Sequence, residues 1–347
     1  MIQHTLYQSL PRVKLLAPTP LAALPNLGRH LGGIKLYVKR DDIGLLGGGG
    51  NKLRKLELLA AQAQGCDTLI TFGALQSNHA RLTAAVAAHL GMACHLVLNC
   101  KVARQGPHYE TSGNQALNRL LGAHCHRLAA EEDPLAFAAA LRDRLESQGR
   151  RVATIAFGGS DAYGSLGYVR CIEELAEQAE EQGIRIDHLV HASGSGGTQA
   201  GLVLGAHLQQ AAFRIEGISV LHNAADLAAM VRGLVYEAAA VLALDGEKAA
   251  AGIQVDDGFV GRGYGLADDK VYAAMALAAR REGLLLDPVY TGKAFAGLVA
   301  RARQGRYRAG DTVVFLHTGG LPGIFAYADE IAASAALAAE DVPGQPS

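Results

Sequence analysis

What most limits the fold of this chain is where its glycines fall. Short runs rich in Val, Ile and Leu end, one after another, in clusters of glycine and small polar residues, and a helical pattern opens directly after most of them. Residues 34–39 read as a strand leading through Arg40, Asp41 and Asp42 to four glycines at 47–50, and Leu53, Leu56, Leu59 and Ala63 then share a helix face. Strand–helix units follow at 68–72 with 77–90, 94–98 with 112–121, and 124–128 with 134–148; a strand at 152–156 stops at Phe157-Gly158-Gly159-Ser160. A second series starts after Gly164. It has a charge-rich helix over 167–181, a strand over 187–192, the cluster 193–198, a helix to about residue 209 and a strand over 214–220. A late strand at 313–316 runs into His317-Thr318-Gly319-Gly320, and residues 342–347 read as a loose tail. Strands alternating with helices predict parallel sheets covered on both faces.

At 347 residues the chain is long enough for two domains of roughly 100–200 residues each, with a boundary expected near residue 160. Charge argues against nucleic acid: 32 basic and 33 acidic residues leave a net charge of -1. The absence of Trp also argues against a stacking platform for single strands. Cys66, Cys94, Cys100, Cys125 and Cys171 form no C-x-x-C pair, so reduced thiols and a cytoplasmic location are expected rather than a disulfide framework or structural zinc. Residues 1–20 carry no apolar leader core, and no uncharged apolar run of 18 residues occurs; no membrane partner and no metal are expected.

Several clusters could carry chemistry. The segment Ser193-Gly194-Ser195-Gly196-Gly197-Thr198 lies between a strand and a helix, where backbone N–H groups and the helix dipole favour an anion. Its sixth fingerprint position is Gln199, not Gly, and no G-K-[ST] tripeptide occurs, so a phosphate is favoured without favouring a dinucleotide or ATP; an empty tight turn fits the spacing equally well. Lys52 follows the four glycines at a helix start, where a lysine can serve as a Schiff-base nucleophile or simply be solvated. Ser77 or Asn78 can be a helix cap, and with Gln76 and His79 they also gather polar groups at a strand end, where ligands collect in open α/β sheets. Residues 287–293 (DPVYTGK), His317 with Thr318, and Tyr264 between two glycines each read alone as loop or turn.

In order along the chain, GGNKLRKLE, GALQSNHAR, FGGSDAYGSLGY, ASGSGGTQAG, GYG, GLLLDPVYTGK and FLHTGG resemble the D-cysteine desulfhydrase and aminocyclopropane-carboxylate deaminase family. The resemblance runs from about residue 15 to 327. It implies a pyridoxal-phosphate enzyme of the tryptophan-synthase β-like fold (fold type II). That fold has two open, twisted, mostly parallel-sheet α/β domains: a large one of residues 1–52 plus 161–347 and a small one of 53–160. It also implies roles. Lys52 would carry the cofactor, Lys55 would lie near its phosphate, and Asn78 would hydrogen-bond its ring oxygen. Ser195, Gly196, Gly197 and Thr198 would form the phosphate loop, and Thr318 would meet the pyridine nitrogen. Ser77 would hold the substrate carboxylate, with His79 nearby, and Tyr290 and Tyr264 would be active-site tyrosines. Thr291 stands where cyclopropane-opening members carry Glu, which argues for loss of a good leaving group and against ring opening. The expected reaction is β-elimination from D-cysteine to pyruvate, ammonia and hydrogen sulfide by a homodimer acting on small amino acids. L-cysteate sulfo-lyase, the cyclopropane deaminase and a non-catalytic pyridoxal-phosphate carrier are the alternatives.

Overall fold

The computed structural model describes residues 2–334; the tail expected at 342–347 lies outside the described residues. Ten strands form two sheets: β1 Leu21–Ala23, β2 Lys35–Lys39, β3 Thr68–Ala74, β4 Ala93–Asn99, β5 His124–Leu128, β6 Val152–Ile155, β7 His188–Ser193, β8 Arg214–Ser219, β9 Gln254–Asp256 and β10 Thr312–Leu316. The six-stranded sheet runs in the order β1-β2-β10-β7-β8-β9 and the four-stranded sheet in the order β5-β4-β3-β6. Every pairing is parallel except β1 with β2, where Leu21 faces Lys39.

The larger sheet draws strands from both ends of the chain. β10 lies between β2 and β7, with Thr312 opposite Lys35 and Val313 opposite His188. In the smaller sheet β3 is central, Thr68 facing both Ala93 and Val152. The central strands β7 and β10 are buried at every position, as helices on both faces require. The carboxyl ends of β3, β7 and β10 carry the clusters that begin at Ser77, Ser193 and His317. Where strand order reverses, those ends open a crevice, the usual ligand position in such sheets.

The strands anticipated from the sequence are present, while β1 and β9 are additions. The helix expected over 112–121 is instead two, Pro107–Thr111 and Asn114–Leu120. Its break has a polar cause: Gln76 Nε2 donates to the carbonyls of Tyr109 and Ser112 at 2.6 and 3.0 Å, while its Oε1 accepts the Asn114 N–H at 2.9 Å.

A buried ionic cluster fixes the helix Lys52–Gln62. Arg54 donates from Nε to Asp41 Oδ2 at 2.8 Å and from Nη2 to Glu174 Oε2 at 2.7 Å, and Lys39 Nζ donates to the same Glu174 oxygen at 2.8 Å. Asp41 follows β2 and Glu174 belongs to the helix Val169–Glu181, so this helix is anchored to two neighbours by charge as well as by packing. All five cysteines are unpaired thiols. Among the described residues no helix is long and apolar enough to cross a membrane.

Candidate active site

The glycine run builds the approach to Lys52. Gly47, Gly48, Gly49 and Gly50 all take positive φ, at 58, 81, 70 and 128°. At Gly49 the requirement is also steric, because a Cβ there would stand 2.2 Å from the Asp42 carbonyl oxygen. The loop is closed by Arg81 Nη2 donating to Gly49 O at 2.7 Å and by Asn51 N donating to Thr318 O at 3.0 Å. Lys52 is therefore delivered as the first residue of its helix, partly buried, on the wall of a cleft of about 890 Å³. Burial lowers its ammonium pKa from 10.5 to about 8.

Ser193, Gly194, Ser195, Gly196 and Thr198 form the adjacent wall. They lead into the helix Gly197–Leu208, whose first N–H groups have no intrahelical acceptor. Gly197 and Lys55 stand behind this wall. A Cβ on Gly197 would lie 2.6 Å from Ser160 Oγ and 2.7 Å from Lys55 Nζ, so glycine lets the lysine close on the loop. Lys55 Nζ donates to Gly158 O at 3.1 Å and Ser160 Oγ at 2.9 Å, and Ser160 Oγ meets Ser195 Oγ at 2.8 Å. Desolvation, and next the charge of Lys52, pull Lys55 well below the usual lysine range. Asn51 Nδ2 ties Lys52's own neighbour to Thr198 Oγ1 at 3.1 Å. Ser193 Oγ is buried without a hydrogen-bond partner.

The start of the helix Asn78–His89 lines the same cleft. Ser77 is its cap, Oγ accepting the Ala80 N–H at 3.1 Å, and it also lines the cleft beside Asn78 and His79. Asn78 Oδ1 accepts from Asn114 Nδ2 at 3.0 Å, which leaves its own Nδ2 to donate elsewhere. His79 Nε2 meets Thr71 Oγ1 at 2.8 Å, while Nδ1 is buried and unpartnered. Desolvation, reinforced by Lys52 and Lys55, holds this imidazole neutral.

Tyr290 and Tyr264 meet hydroxyl to hydroxyl, their rings edge-on with centroids 5.7 Å apart. Burial raises both phenols, which keeps them protonated at neutral pH. Thr318 lines the same cleft. Thr291 is placed differently from expectation. It is fully buried and does not line the cleft; its Oγ1 donates to Asp287 Oδ1 at 2.7 Å and accepts the Asp287 N–H at 2.8 Å. Asp287 in turn accepts the N–H groups of Val289, Tyr290 and Thr291 at 2.9, 3.0 and 2.9 Å. Thr291 thus acts on the turn that presents Tyr290, not on anything in the cleft.

Three residues of this neighbourhood were not singled out for such roles from sequence: Asn51, Asn114 and Ser160; Arg262, weighed from sequence as a partner for a sulfonate, lines the cleft. Ser160 had a detectable signal, a polar residue in a glycine cluster at a strand end; Asn114, which reaches Asn78 from a different helix, had none.

The pattern common to the family described as pyridoxal-phosphate dependent enzyme matches residues 14–319. The chain belongs to the pyridoxal-phosphate dependent enzymes. Among these, a D-cysteine desulfhydrase of Serratia proteamaculans is 42% identical over 333 residues, 95% of this chain and 99% of the relative. A D-cysteine desulfhydrase of Klebsiella pneumoniae is 44% identical over 320 residues, 91% and 96% of the two chains. The crystal structure of an ACC deaminase homologue superposes with a TM-score of 0.85 at 37% identity, covering 95% of this chain and 98% of that one. Threonine deaminase isoform 2 from Solanum lycopersicum shares the fold, with a TM-score of 0.67 at 16% identity, covering 96% and 88%.

Pyridoxal phosphate is the cofactor of this family, and the donor set of the cleft fits it. Two lysines of lowered pKa, Lys55 buried and Lys52 partly so, lie beside a helix N-terminus, and Lys55 faces a carbonyl and a hydroxyl rather than a carboxylate, so a dianion would supply the missing countercharge. The orphaned Ser193 hydroxyl adds an unused hydrogen-bonding group on the same wall.

Proposed function

We propose that the chain is a pyridoxal-phosphate dependent lyase that removes the thiol of D-cysteine by β-elimination, the product then taking up water to give pyruvate and ammonia beside the hydrogen sulfide released. The observation that carries this reading is the placement of Lys52 in one cleft with Ser77 and Asn78 on one side and the Tyr264–Tyr290 pair on another. Relatives at 42 and 44% identity that bear the name D-cysteine desulfhydrase support the substrate.

In this reading Lys52 would hold the cofactor, which would supply the electron sink that makes the substrate Cα–H acidic, and the Lys52 amine would be freed when the substrate amine takes its place. The Lys52 amine takes the Cα proton, a role suited to a lysine brought near pH 8 by burial. Ser77 holds the substrate carboxylate, and Asn78 holds the ring oxygen through the Nδ2 that Asn114 leaves free. Residues 195–198 seat the phosphate, with Lys55 and Ser160 reinforcing the loop from behind. Tyr264 and Tyr290, both protonated, are placed to give a proton to the departing sulfur. Thr318, which lines the cleft, would meet the ring nitrogen. The division into a large domain of residues 1–52 plus 161–347 and a small one of 53–160 belongs to the same proposal and is supported by the composition of the two sheets. So do a homodimer, carried over from the family, and a cytoplasmic location, supported by the unpaired cysteines.

A second reading, L-cysteate desulfonation, draws support from Arg262, which lines the cleft and would pair with a sulfonate. A panel of D-cysteine, L-cysteine, L-cysteate and aminocyclopropane carboxylate, read as pyruvate, ammonia or ketobutyrate release, tests both. D-cysteine turnover exceeding the other three is expected; faster release from L-cysteate would replace the first reading with the second.

A further inference from the structure

The DPVYTGK segment holds a second buried charge. Lys293 is fully buried, and its Nζ donates to Val260 O and Gly263 O, each at 2.7 Å. Both acceptors are backbone carbonyls. They belong to the loop that carries Tyr264, whose next residue, Gly265, offers its carbonyl to Tyr327 Oη at 2.8 Å. Lys293 stands three residues after Tyr290, in the first turn of the helix Thr291–Arg303.

Burying an ammonium with carboxylates only at a distance, those of Asp268 and Asp287, is unfavourable, and a methionine of similar length would fill the same space without that penalty. What the lysine adds is two hydrogen bonds aimed at one loop. We propose that Lys293 is a positioning residue that seats the 260–265 loop so that the Tyr264 hydroxyl meets that of Tyr290. One helix start then sets both phenols: Asp287 and Thr291 fix Tyr290 through its backbone, and Lys293 fixes Tyr264 from behind. This rests on the reading of the two tyrosines as proton donors to the leaving sulfur.

The test uses holoenzyme of the wild type, Lys293→Met, Tyr264→Phe and the double variant. Lys293→Met is expected to lower kcat for D-cysteine by roughly tenfold or more, since small misplacements of reacting groups cost about that much. KM should change by less than about twofold, because the loop acts on proton delivery and not on substrate binding. In the Tyr264→Phe background the same substitution should cause little further loss. Amide exchange over residues 260–266, measured without substrate, should quicken in Lys293→Met. Unchanged exchange there, or losses in the two single variants that multiply in the double, would overturn the proposal. A wild type that ignores D-cysteine defeats only the substrate reading, because the exchange arm still decides whether Lys293 holds the loop. Should Lys293→Met not fold, Lys293→Leu, which likewise has no donor, is read in the same way.

Discussion

Asn114 Nδ2 donates to Asn78 Oδ1 at 3.0 Å, and that contact decides which end of the Asn78 amide faces the cleft. Asn114 is itself fully buried and further held by donating to Gln76 O at 3.0 Å. An aspartate at 114 would offer only acceptors, and Asn78 would turn its Nδ2 toward it, presenting a carbonyl to the cofactor. Asn114→Asp is therefore expected to weaken pyridoxal-phosphate binding by about tenfold, the scale of one hydrogen bond lost at a buried site. Titration of apoprotein, followed by absorbance, measures this; unchanged affinity would remove Asn114 from the site.

Position 291 gives a second prediction. Thr291→Val keeps the shape but removes one donor from the Asp287 carboxylate and one acceptor from its N–H, both buried. A loss of about 1–3 kcal/mol in stability is expected. Thr291→Ser, which keeps the hydroxyl, should stay near wild type. The ratio of D-cysteine to aminocyclopropane-carboxylate turnover should stay constant in both, because the side chain does not reach the cleft. Thr291→Glu would set a second carboxylate against Asp287 and is expected to reduce folded yield rather than switch substrate. Melting temperatures with rates on both substrates check this, and a shifted ratio at normal stability would restore a direct role for the position.

Lys52 supplies a pH prediction with a definite sign. Its pKa is lowered by desolvation to about 8, and only the neutral amine attacks an aldehyde. The rate at which apoprotein captures pyridoxal phosphate should rise with pH and level off above about 8, where an ordinary lysine would still be climbing toward 10. Stopped-flow absorbance across pH 6–10 reads it directly. In Lys52→Ala, borohydride should trap no adduct at this position and turnover should vanish; residual turnover would take away its role as proton acceptor.

How far the sequence spoke depended on whether a function was local. The glycine run before Lys52, the proposed phosphate loop after β7 and the cap at Ser77 each sit on one strand end with their own helix start, so composition and periodicity exposed them. The expectation for Thr291 came from the resemblance, in which this position carries Glu in cyclopropane-opening members, and not from any local pattern. Tyr290 is the non-helical cap of the helix that Thr291 begins, and the backbone turns there, so Tyr290 faces the cleft while Thr291 faces Asp287. Asn114 and Lys293 had no local signature, since the contacts that define them join segments 36 and 30 residues apart. The interleaving of the larger sheet was equally hidden, because pairing β2 with β10 is a choice of tertiary register that no window of sequence contains.

The cluster around Arg54 supports a last prediction, about stability. Burial alone would raise the pKa of Asp41 and Glu174, but Arg54 and Lys39 more than offset this and hold both carboxyls below their ordinary values. In the wild type these groups therefore contribute stability above their unfolded pKa, near 4, and lose it only as pH falls through their lower folded values. Arg54→Met removes the main partner from two buried carboxylates and should destabilise by about 3–5 kcal/mol at pH 8. Left to burial, Asp41 would then titrate above its unfolded value. Its protonated form would be favoured in the fold, and stability would return as pH drops. The gap in melting temperature between wild type and variant is thus expected to narrow from pH 8 to pH 5. A gap that widens on acidification would show that Arg54 is held there by packing and not by charge.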